Sequence, residues 1–395
     1  MKARVLIAGA GPAGIATAVA AVRADPRLAG RILVCDRACF PRAKPCGGGL
    51  TGHIEEALSG LGLRLTVPSF PSPRAEIRYG TFRREVALGR PVRVVRREEF
   101  DASLVDQARA LGIEIRERCG LRDFSVVGDS VRAITDGGEI TAEVLVGADG
   151  AGSLLRKRLG GARSGPPIRL FRAEVSGPPP SDAMVYDFSP MDEGLRGYLW
   201  LFPVPGNRIN LGVMHYPAPD SPRSGAELVK LLHQRLASDY QIDLPESAAR
   251  GWPAWGYLPS QRVATHRLLT VGDAAGIDAL TGEGIAVALE QGLIAGQTIA
   301  QAFATGDLSF SGYRRALRRA TVGRELAIDR WLARLLYHQP QRWLPFVLYD
   351  EKMLELYAAR VSGSLVLADH KWEMVRGIGR HLMGFRARAA AAGVV

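Results

Sequence analysis

Six residues near the amino end constrain the fold more than anything else in the chain: Gly9-Ala10-Gly11-Pro12-Ala13-Gly14. An apolar run (residues 4–8, RVLIA) precedes them, an Ala-rich, helix-prone stretch (13–23) follows, and a second apolar run (31–35, RILVC) comes next. That order reads as β-α-β with a parallel sheet. Gly9 permits a tight turn, Gly11 lets the backbone approach a pyrophosphate, and Gly14 lets the helix pack closely. The first amides of the helix, Ala13 among them, add donors and a positive dipole end. Asp36 ends the second strand 22 positions after Gly14, where its carboxylate can accept hydrogen bonds from ribose hydroxyls. The fingerprint predicts a dinucleotide-binding α/β domain.

The same glycines settle a second question. Lys2 and Arg4, followed by a stretch to Val22 with almost no polar residue, give the opening the look of a secretory signal or a membrane span. Gly9, Gly11, Pro12 and Gly14 break that run, so it reads as mature fold, and no other stretch of about 20 apolar residues occurs. With 47% hydrophobic and 23% charged residues the chain is of ordinary globular composition, which excludes disordered and fibrous classes. Four cysteines, Cys35, Cys39, Cys46 and Cys119, are too few and too clustered for a disulfide-stapled secreted fold. They read as reduced thiols of a cytoplasmic protein. No cysteine follows Cys119, which excludes a C-terminal iron–sulfur cluster, and the first three with His53 lack zinc-type spacing, so no metal is expected.

Beyond the fingerprint, a Gly/Pro-rich segment occupies residues 40–52, a helix is expected over 98–110, and strands at 113–116, 131–134 and 143–146. Between residues 167 and 216 the texture changes to strand-like runs (IRLFRAEV, GYLWLF, RINLGVMHY) separated by turn residues, which predicts an inserted antiparallel sheet. A buried-strand pattern resumes at 267–271, and the helix from Glu283 onward belongs with the first domain. The expected architecture is a Rossmann-like domain split over 1–65, 91–165 and 262–305, a second domain from 66–90 and 166–261, and a helical region over 306–395.

Two more glycine sites each follow an apolar strand. One is Val146-Gly147-Ala148-Asp149-Gly150, followed by Ser153 and Arg156; the other is Val271-Gly272-Asp273-Ala274-Ala275-Gly276, followed by Thr281-Gly282-Glu283-Gly284-Ile285. Taken with the fingerprint they resemble the FAD-dependent enzymes of the para-hydroxybenzoate-hydroxylase fold, in which a dinucleotide fingerprint, a DG motif and a GD motif jointly hold FAD. The resemblance implies that Asp273 binds ribityl or pyrophosphate oxygens beside Gly272, and that Gly282, Gly284 and Ile285 offer helix amides near the flavin ring. It further implies that Asp149 orients the pyrophosphate loop and that Arg97, in the pattern Arg-x-x-Phe-Asp, reaches the cofactor.

Two stretches narrow the branch. Pro45-Cys46-Gly47-Gly48-Gly49 is similar to the Pro-Cys-Gly segment of the geranylgeranyl reductase family, and Tyr198-Leu199-Trp200-Leu201-Phe202-Pro203 to its Tyr-x-Trp-x-Phe-Pro motif. A Gly-rich loop lets Gly47 and Gly48 lie against the flavin, while the Cys46 thiol either positions the substrate, relays a proton, or simply fits a crowded loop. Tyr198, Trp200 and Phe202 alternate along a strand and share one face, a wall for a prenyl chain or a buried core. The chain departs from the family in having Leu195 for its common proline and in a short 277–280 connection. The resemblance implies a reductase that saturates carbon–carbon double bonds of an isoprenoid lipid by hydride transfer from reduced FAD, with Cys46, Tyr198 and Trp200 as candidate catalytic residues. Its alternative is a monooxygenase of secondary metabolism on the same fold, for which His215, Asp187 and Arg208 would supply a polar pocket. A halogenase is disfavoured, because Tyr198 replaces the first residue of a Trp-x-Trp motif and no lysine lies between Lys44 and Lys157. No second Gly-x-Gly-x-x-Gly unit marks a nicotinamide domain, which leaves NADPH over the flavin, a ferredoxin-type protein or a quinol as electron donor.

The net charge of +11 invites a nucleic-acid reading, but no nucleic-acid motif accompanies it. From residue 311 to 395 there are 15 Lys+Arg and 7 Asp+Glu, so most of the surplus is C-terminal. There, Tyr313, Leu317, Ala320, Ala327, Trp331 and Leu335 form one stripe, and Trp372, Val375, Leu382 and Phe385 a second, flanked by Lys371, Arg376, Arg380 and Arg386. Such basic amphipathic helices suit peripheral contact with an anionic membrane, or pack on the flavin domain with their charges in water.

Overall fold

The structure, a computed structural model, describes residues 2–160, 166–218, 221–245 and 248–391; the side chains of residues 2 and 385–391, Phe385 and Arg386 among them, lie outside that description. Two eight-stranded sheets organise the chain. The first runs in the order Ala264–Thr265, Leu268–Thr270, Gly138–Gly147, Lys2–Ala8, Ile32–Cys35 and Glu114–Arg116. Its central pairings are parallel, and an antiparallel hairpin, Leu121–Val127 with Ser130–Thr135, is added to Gly138–Gly147. The central strands read as near-continuous apolar runs because both faces are covered.

Helices Pro12–Ala24 and Ile285–Thr305 lie side by side against this sheet. Their axes approach closely because Gly292 and Gly296 face Ala16 and Ala20; a Cβ at either glycine would stand 2.5 Å from the opposing Cβ. That contact fixes a C-terminal segment of the first domain against the N-terminal fingerprint, across the whole inserted second domain.

The second sheet runs Arg250–Ala254, Ile168–Ser176, Arg208–His215, Gly197–Val204, Met184–Asp187, Ser69–Tyr79, Phe82–Val95, Gly49–Leu50. Only Met184–Asp187 with Ser69–Tyr79 is parallel among its pairings. Helix Gly225–Tyr240 packs on one side through Leu228, Leu231, Leu232 and Leu236. On the other side Tyr198, Trp200, Phe202 and Met214 share a core with Leu336, Tyr337, Trp343 and Phe346 of the C-terminal helices Thr321–His338 and Pro340–Tyr349.

The C-terminal region therefore closes over the aromatic face of the second sheet, and this corrects the stripe expected from sequence. The chain turns at Ala320, between helices Tyr313–Arg319 and Thr321–His338, so one continuous phase does not apply. The second helix buries Val322, Leu326, Leu332, Ala333 and Leu336, and leaves Ala327 and Trp331 exposed. On helix Lys371–Ala391, Trp372, Val375 and Met383 are exposed beside Lys371, Arg376 and Arg380. Among the described residues no helix is long and apolar enough to cross a membrane.

Candidate functional site

The parallel register brings the sequence-distant loops together. Ala8 pairs with Cys35 and Gly147, and Gly147 pairs with Thr270. The turns that follow these strands, at Gly9, Asp36, Ala148 and Gly272, thus open at the same carboxyl edge of the sheet, where ligands of open parallel sheets bind. Gly9 takes φ +112°, and a Cβ there would stand 2.2 Å from the Ala148 carbonyl oxygen. Only glycine satisfies both demands. Ala13 packs on the GD loop, since a Cβ at Gly272 would lie 2.8 Å from its own. Gly14 packs against the Gly9 carbonyl, closing the turn.

The space in front of Gly11 is open except for the Arg42 guanidinium, 3.4 Å from where a Cβ would be. Backbone amides, the N-terminus of helix Pro12–Ala24 and this guanidinium form a cradle that fits an anionic pyrophosphate. Arg42 reaches Asp101 at 3.3 Å, and Arg97 holds the same wholly buried carboxylate with two bonds of 2.9 and 3.0 Å. Burial opposes the charge on Arg97, but Asp101 and Cys46 outweigh it and raise its pKa. Arg97 thus braces the Cys46 loop. Asp36 accepts the Ala10 amide on Oδ2 and the Ala38 amide on Oδ1, each at 2.8 Å. Its carboxylate ties the glycine turn to the second strand and keeps lone pairs for ribose hydroxyls.

Asp149 accepts the Leu154 amide at 2.7 Å through Oδ2, while Oδ1 is buried without a partner. Burial pushes this carboxyl upward against the pull of Ser153. In the GD loop Gln291 is the fastener, accepting from Gly272 N at 2.7 Å and donating to the Gly276 carbonyl at 3.0 Å. Asp273 meets Lys44 at 3.5 Å, and Lys44 lies 3.8 Å over the Trp252 ring. Burial lowers the Lys44 pKa, with Asp273 opposing.

The Cys46 loop joins the two domains. Its Sγ faces the Gly48 amide at 3.5 Å, and its carbonyl accepts from Asn210 Nδ2 at 2.7 Å. Asn210 Oδ1 in turn accepts from the Trp200 indole at 3.0 Å. Gly47 lies so close to the aromatic face that a Cβ would stand 3.1 Å from the Phe202 ring, and Gly48 sits against the Val95 carbonyl. Trp200 therefore holds the loop from within the buried aromatic core. Tyr198 donates to the Thr281 carbonyl at 2.5 Å, and Tyr337 donates to that of Leu280 at 2.5 Å. Burial raises the pKa of both phenols, so they remain neutral donors. They anchor the segment leading to Gly282, Gly284 and Ile285, where helix Ile285–Thr305 starts. Asp278 shapes the short connection itself by accepting from the amides of Leu280 and Thr281 at 2.6 and 2.9 Å.

The polar residues that would serve a hydroxylase pocket are otherwise engaged. His215 accepts the Arg196 amide on Nδ1 and meets the Ser221 carbonyl through Nε2 at 3.0 Å, while burial lowers its pKa to about 4. It lines a recess of about 520 Å3 that shares no lining residue with the cofactor loops. Asp187 accepts from Tyr240, and Arg208 pairs with Glu174. Arg42, Lys44, Asn210 and Gln291 are the site residues that motif reading passes over, since each acquires its role from a partner far away in sequence.

Comparison with known proteins agrees with this geometry. The profile of the FAD binding domain family matches residues 2–307. A menaquinone reductase of Mycobacterium tuberculosis is 30% identical over 408 residues, covering 94% of this chain and 93% of that protein. A digeranylgeranylglycerophospholipid reductase of Methanococcoides burtonii is 28% identical over 61% of each chain. The solved structure of a geranylgeranyl bacteriochlorophyll reductase-like protein from Thermoplasma acidophilum superposes with a TM-score of 0.75, at 17% identity and 99% coverage of both chains. A flavin-dependent brominase shares the fold at a TM-score of 0.71 and 19% identity. With the pyrophosphate cradle, the three glycine loops and these relatives in view, the chain belongs to the geranylgeranyl reductase family of FAD-dependent oxidoreductases, on the para-hydroxybenzoate-hydroxylase-like fold.

Proposed function

We propose that the enzyme saturates a carbon–carbon double bond in the isoprenoid chain of a lipid, with a prenylated quinone as the favoured substrate class. The observation that carries the reading is the Trp200–Asn210–Cys46 bridge, which seats the Cys-Gly-Gly loop directly on an aromatic face. The quinone preference rests on the mycobacterial menaquinone reductase, a relative matched over nearly the whole chain.

FAD, once reduced, supplies a hydride. Gly9 to Gly14, Arg42 and Asp36 would hold its pyrophosphate and ribose, and the Gly272–Asp273 turn and the amides after Gly284 its other half. Tyr186, Tyr198 and Phe202, in ring contact at 5.2–5.5 Å centroid distances, offer an apolar wall that orients a prenyl chain and excludes water. A groove of about 350 Å3, lined by Leu50, Ile54, Leu58 and Val67 together with Glu55, Glu56, Arg90 and Arg93, lies beside the strand that follows the Cys46 loop. The exposed Trp372, Val375 and Met383 amid Lys371, Arg376 and Arg380 support docking on an anionic membrane, where such a lipid resides.

The test is anaerobic. The flavin is reduced with dithionite and its absorbance followed after addition of menaquinol, whose ring is already reduced, so that a side-chain double bond is the acceptor left for the hydride. Reoxidation without O2 is expected; reoxidation that requires O2 would sink the reductase reading in favour of a monooxygenase.

A further inference from the structure

Behind the flavin loop lies a buried group of charges that the roles above do not use. Arg360, at the end of helix Glu351–Val361, extends each of its guanidinium nitrogens to a different carboxylate: Nη1 to Glu283 at 2.7 Å, Nε to Glu325 at 3.2 Å, and Nη2 to Asp329. Glu283 belongs to the Gly282-Glu283-Gly284 turn itself, so Arg360 joins Tyr337 in tying the C-terminal region to the cofactor loop. Asp329 is wholly buried, and its Oδ1 has no hydrogen-bond partner; neither has the buried Oε1 of Glu283.

Three carboxylates on one guanidinium would leave two surplus negative charges in a dry interior, and carboxylates that share a buried site retain a proton instead. An unpartnered buried oxygen is where such a proton resides. The surroundings reinforce this. Asp278 stands at the start of the connection, and Glu290 follows on helix Ile285–Thr305, with burial and Glu325 raising its pKa to about 7. Tyr186 and Tyr198 from the sheet and Tyr357 from the C-terminal side are neutral phenols that burial keeps protonated. Burial pushes the carboxyls of Asp329 and Glu283 up against the pull of Arg360.

We propose that Glu283, Asp329 and Arg360 form an internal acid that supplies the proton of the reduction, with Glu283 as its outlet. Glu283 is the member on the flavin loop, and its side chain is 15% exposed where that of Asp329 is 0%. The proposal rests on the reductase reading. Saturating one alkene consumes a hydride and a proton. The hydride, carrying two electrons from reduced FAD that an external donor replenishes, forms one C–H bond. The carboxyl O–H breaks as the π electrons form the other, leaving a carboxylate that Arg360 stabilises and water later reprotonates.

The test pairs a readout that needs neither flavin nor substrate with one that needs both. Infrared spectra of the full-length protein near pH 7, in H2O and D2O, are expected to show the carbonyl stretch of a protonated carboxyl, lost in Asp329→Asn or Glu283→Gln. In anaerobic single turnover with menaquinol, whose ring cannot accept the electrons, Glu283→Gln is expected to bind FAD with an unaltered absorbance spectrum, to reoxidise about 10²-fold more slowly or worse, and to lose the decline in rate that the wild type shows as pH rises. Absence of the band in the wild type overturns the proposal, as does a Glu283→Gln variant with the wild-type rate and pH profile. A wild type that shows the band but is not reoxidised by prenylated quinols overturns the reductase reading and the destination of the proton together. The band, scored without substrate, tells the two failures apart.

Discussion

Replacing Asn210 with leucine keeps the number and branching of the side-chain heavy atoms and removes both bonds of the bridge that seats the Cys46 loop. The Trp200 indole N–H, 3.0 Å from Asn210 Oδ1, and the Cys46 carbonyl, 2.7 Å from Nδ2, both lose their partners. Asn210 is 1% exposed and Trp200 4%, so water does not replace the indole's acceptor without a local rearrangement. A buried donor left unpaired costs about 1–3 kcal/mol, and the partly accessible carbonyl less, giving about 2–4 kcal/mol together. Expressed wholly in cofactor affinity, that is on the order of a 10²-fold rise in the Kd for FAD. Flavin-fluorescence titration measures the affinity, and the urea midpoint of the apoprotein measures the share that falls on stability. Trp200→Phe keeps the ring face and deletes the donor, so its effect is expected to be smaller, about 1 kcal/mol. The double variant is expected to fall short of the sum, because both changes break one contact. An Asn210→Leu protein with wild-type affinity and wild-type midpoint would refute the bridge as the element that holds the loop.

Other consequences are measurable alongside. Gly47→Val places branched carbon where a Cβ already stands 3.1 Å from the Phe202 ring, and is expected to abolish flavin retention during purification while the far-ultraviolet spectrum stays native. Arg42→Ala removes a cation from the Gly11 cradle, with an expected 10- to 100-fold weakening of FAD binding, about 1.5–3 kcal/mol, seen by isothermal titration. His215 is held neutral with a pKa near 4, against about 6.5 when unfolded. The unfolded state therefore takes up the proton first on acidification: its stability contribution is complete above about pH 6.5 and lost by about pH 4, on the order of 1–3 kcal/mol. Urea midpoints at pH 7 and 5 are expected to converge more closely in His215→Gln than in the wild type. Trp372→Glu is expected to weaken flotation with anionic vesicles without altering FAD affinity; equal flotation would discard the membrane face.

What the sequence discloses and what it hides have a common physical cause. Gly9, Gly14, Asp149 and Gly272 are legible because the demand on each is local, a positive φ or a backbone contact at a fixed place after a strand. Asn210 and Gln291 carry no such mark. The loop partner of Asn210, Cys46, is 164 residues away, and the GD-loop partners of Gln291 lie 19 and 15 residues back across a turn. Either side chain could equally face solvent on a strand or helix. Arg360 is hidden further still, in a region where basic residues abound and most are exposed, and its meaning comes from Glu283, 77 residues earlier. The first C-terminal stripe, from Tyr313 to Leu335, does not mark one face because the turn at Ala320 resets the helical phase, and apolar spacing across a turn carries no information about a shared face. Tyr198 and Trp200 were placed on the right face by strand alternation, but their hydrogen bonds to Thr281 and Asn210 belong to tertiary structure.

The central claim is that this flavin site reduces a carbon–carbon double bond of a prenyl chain. The most direct test is mass spectrometry of menaquinone recovered after anaerobic incubation with the FAD-loaded enzyme and an excess of reductant. A product heavier by two hydrogens, located in the side chain by fragmentation, is expected; an unchanged chain, or a product that forms only in air and gains oxygen, would overturn the assignment.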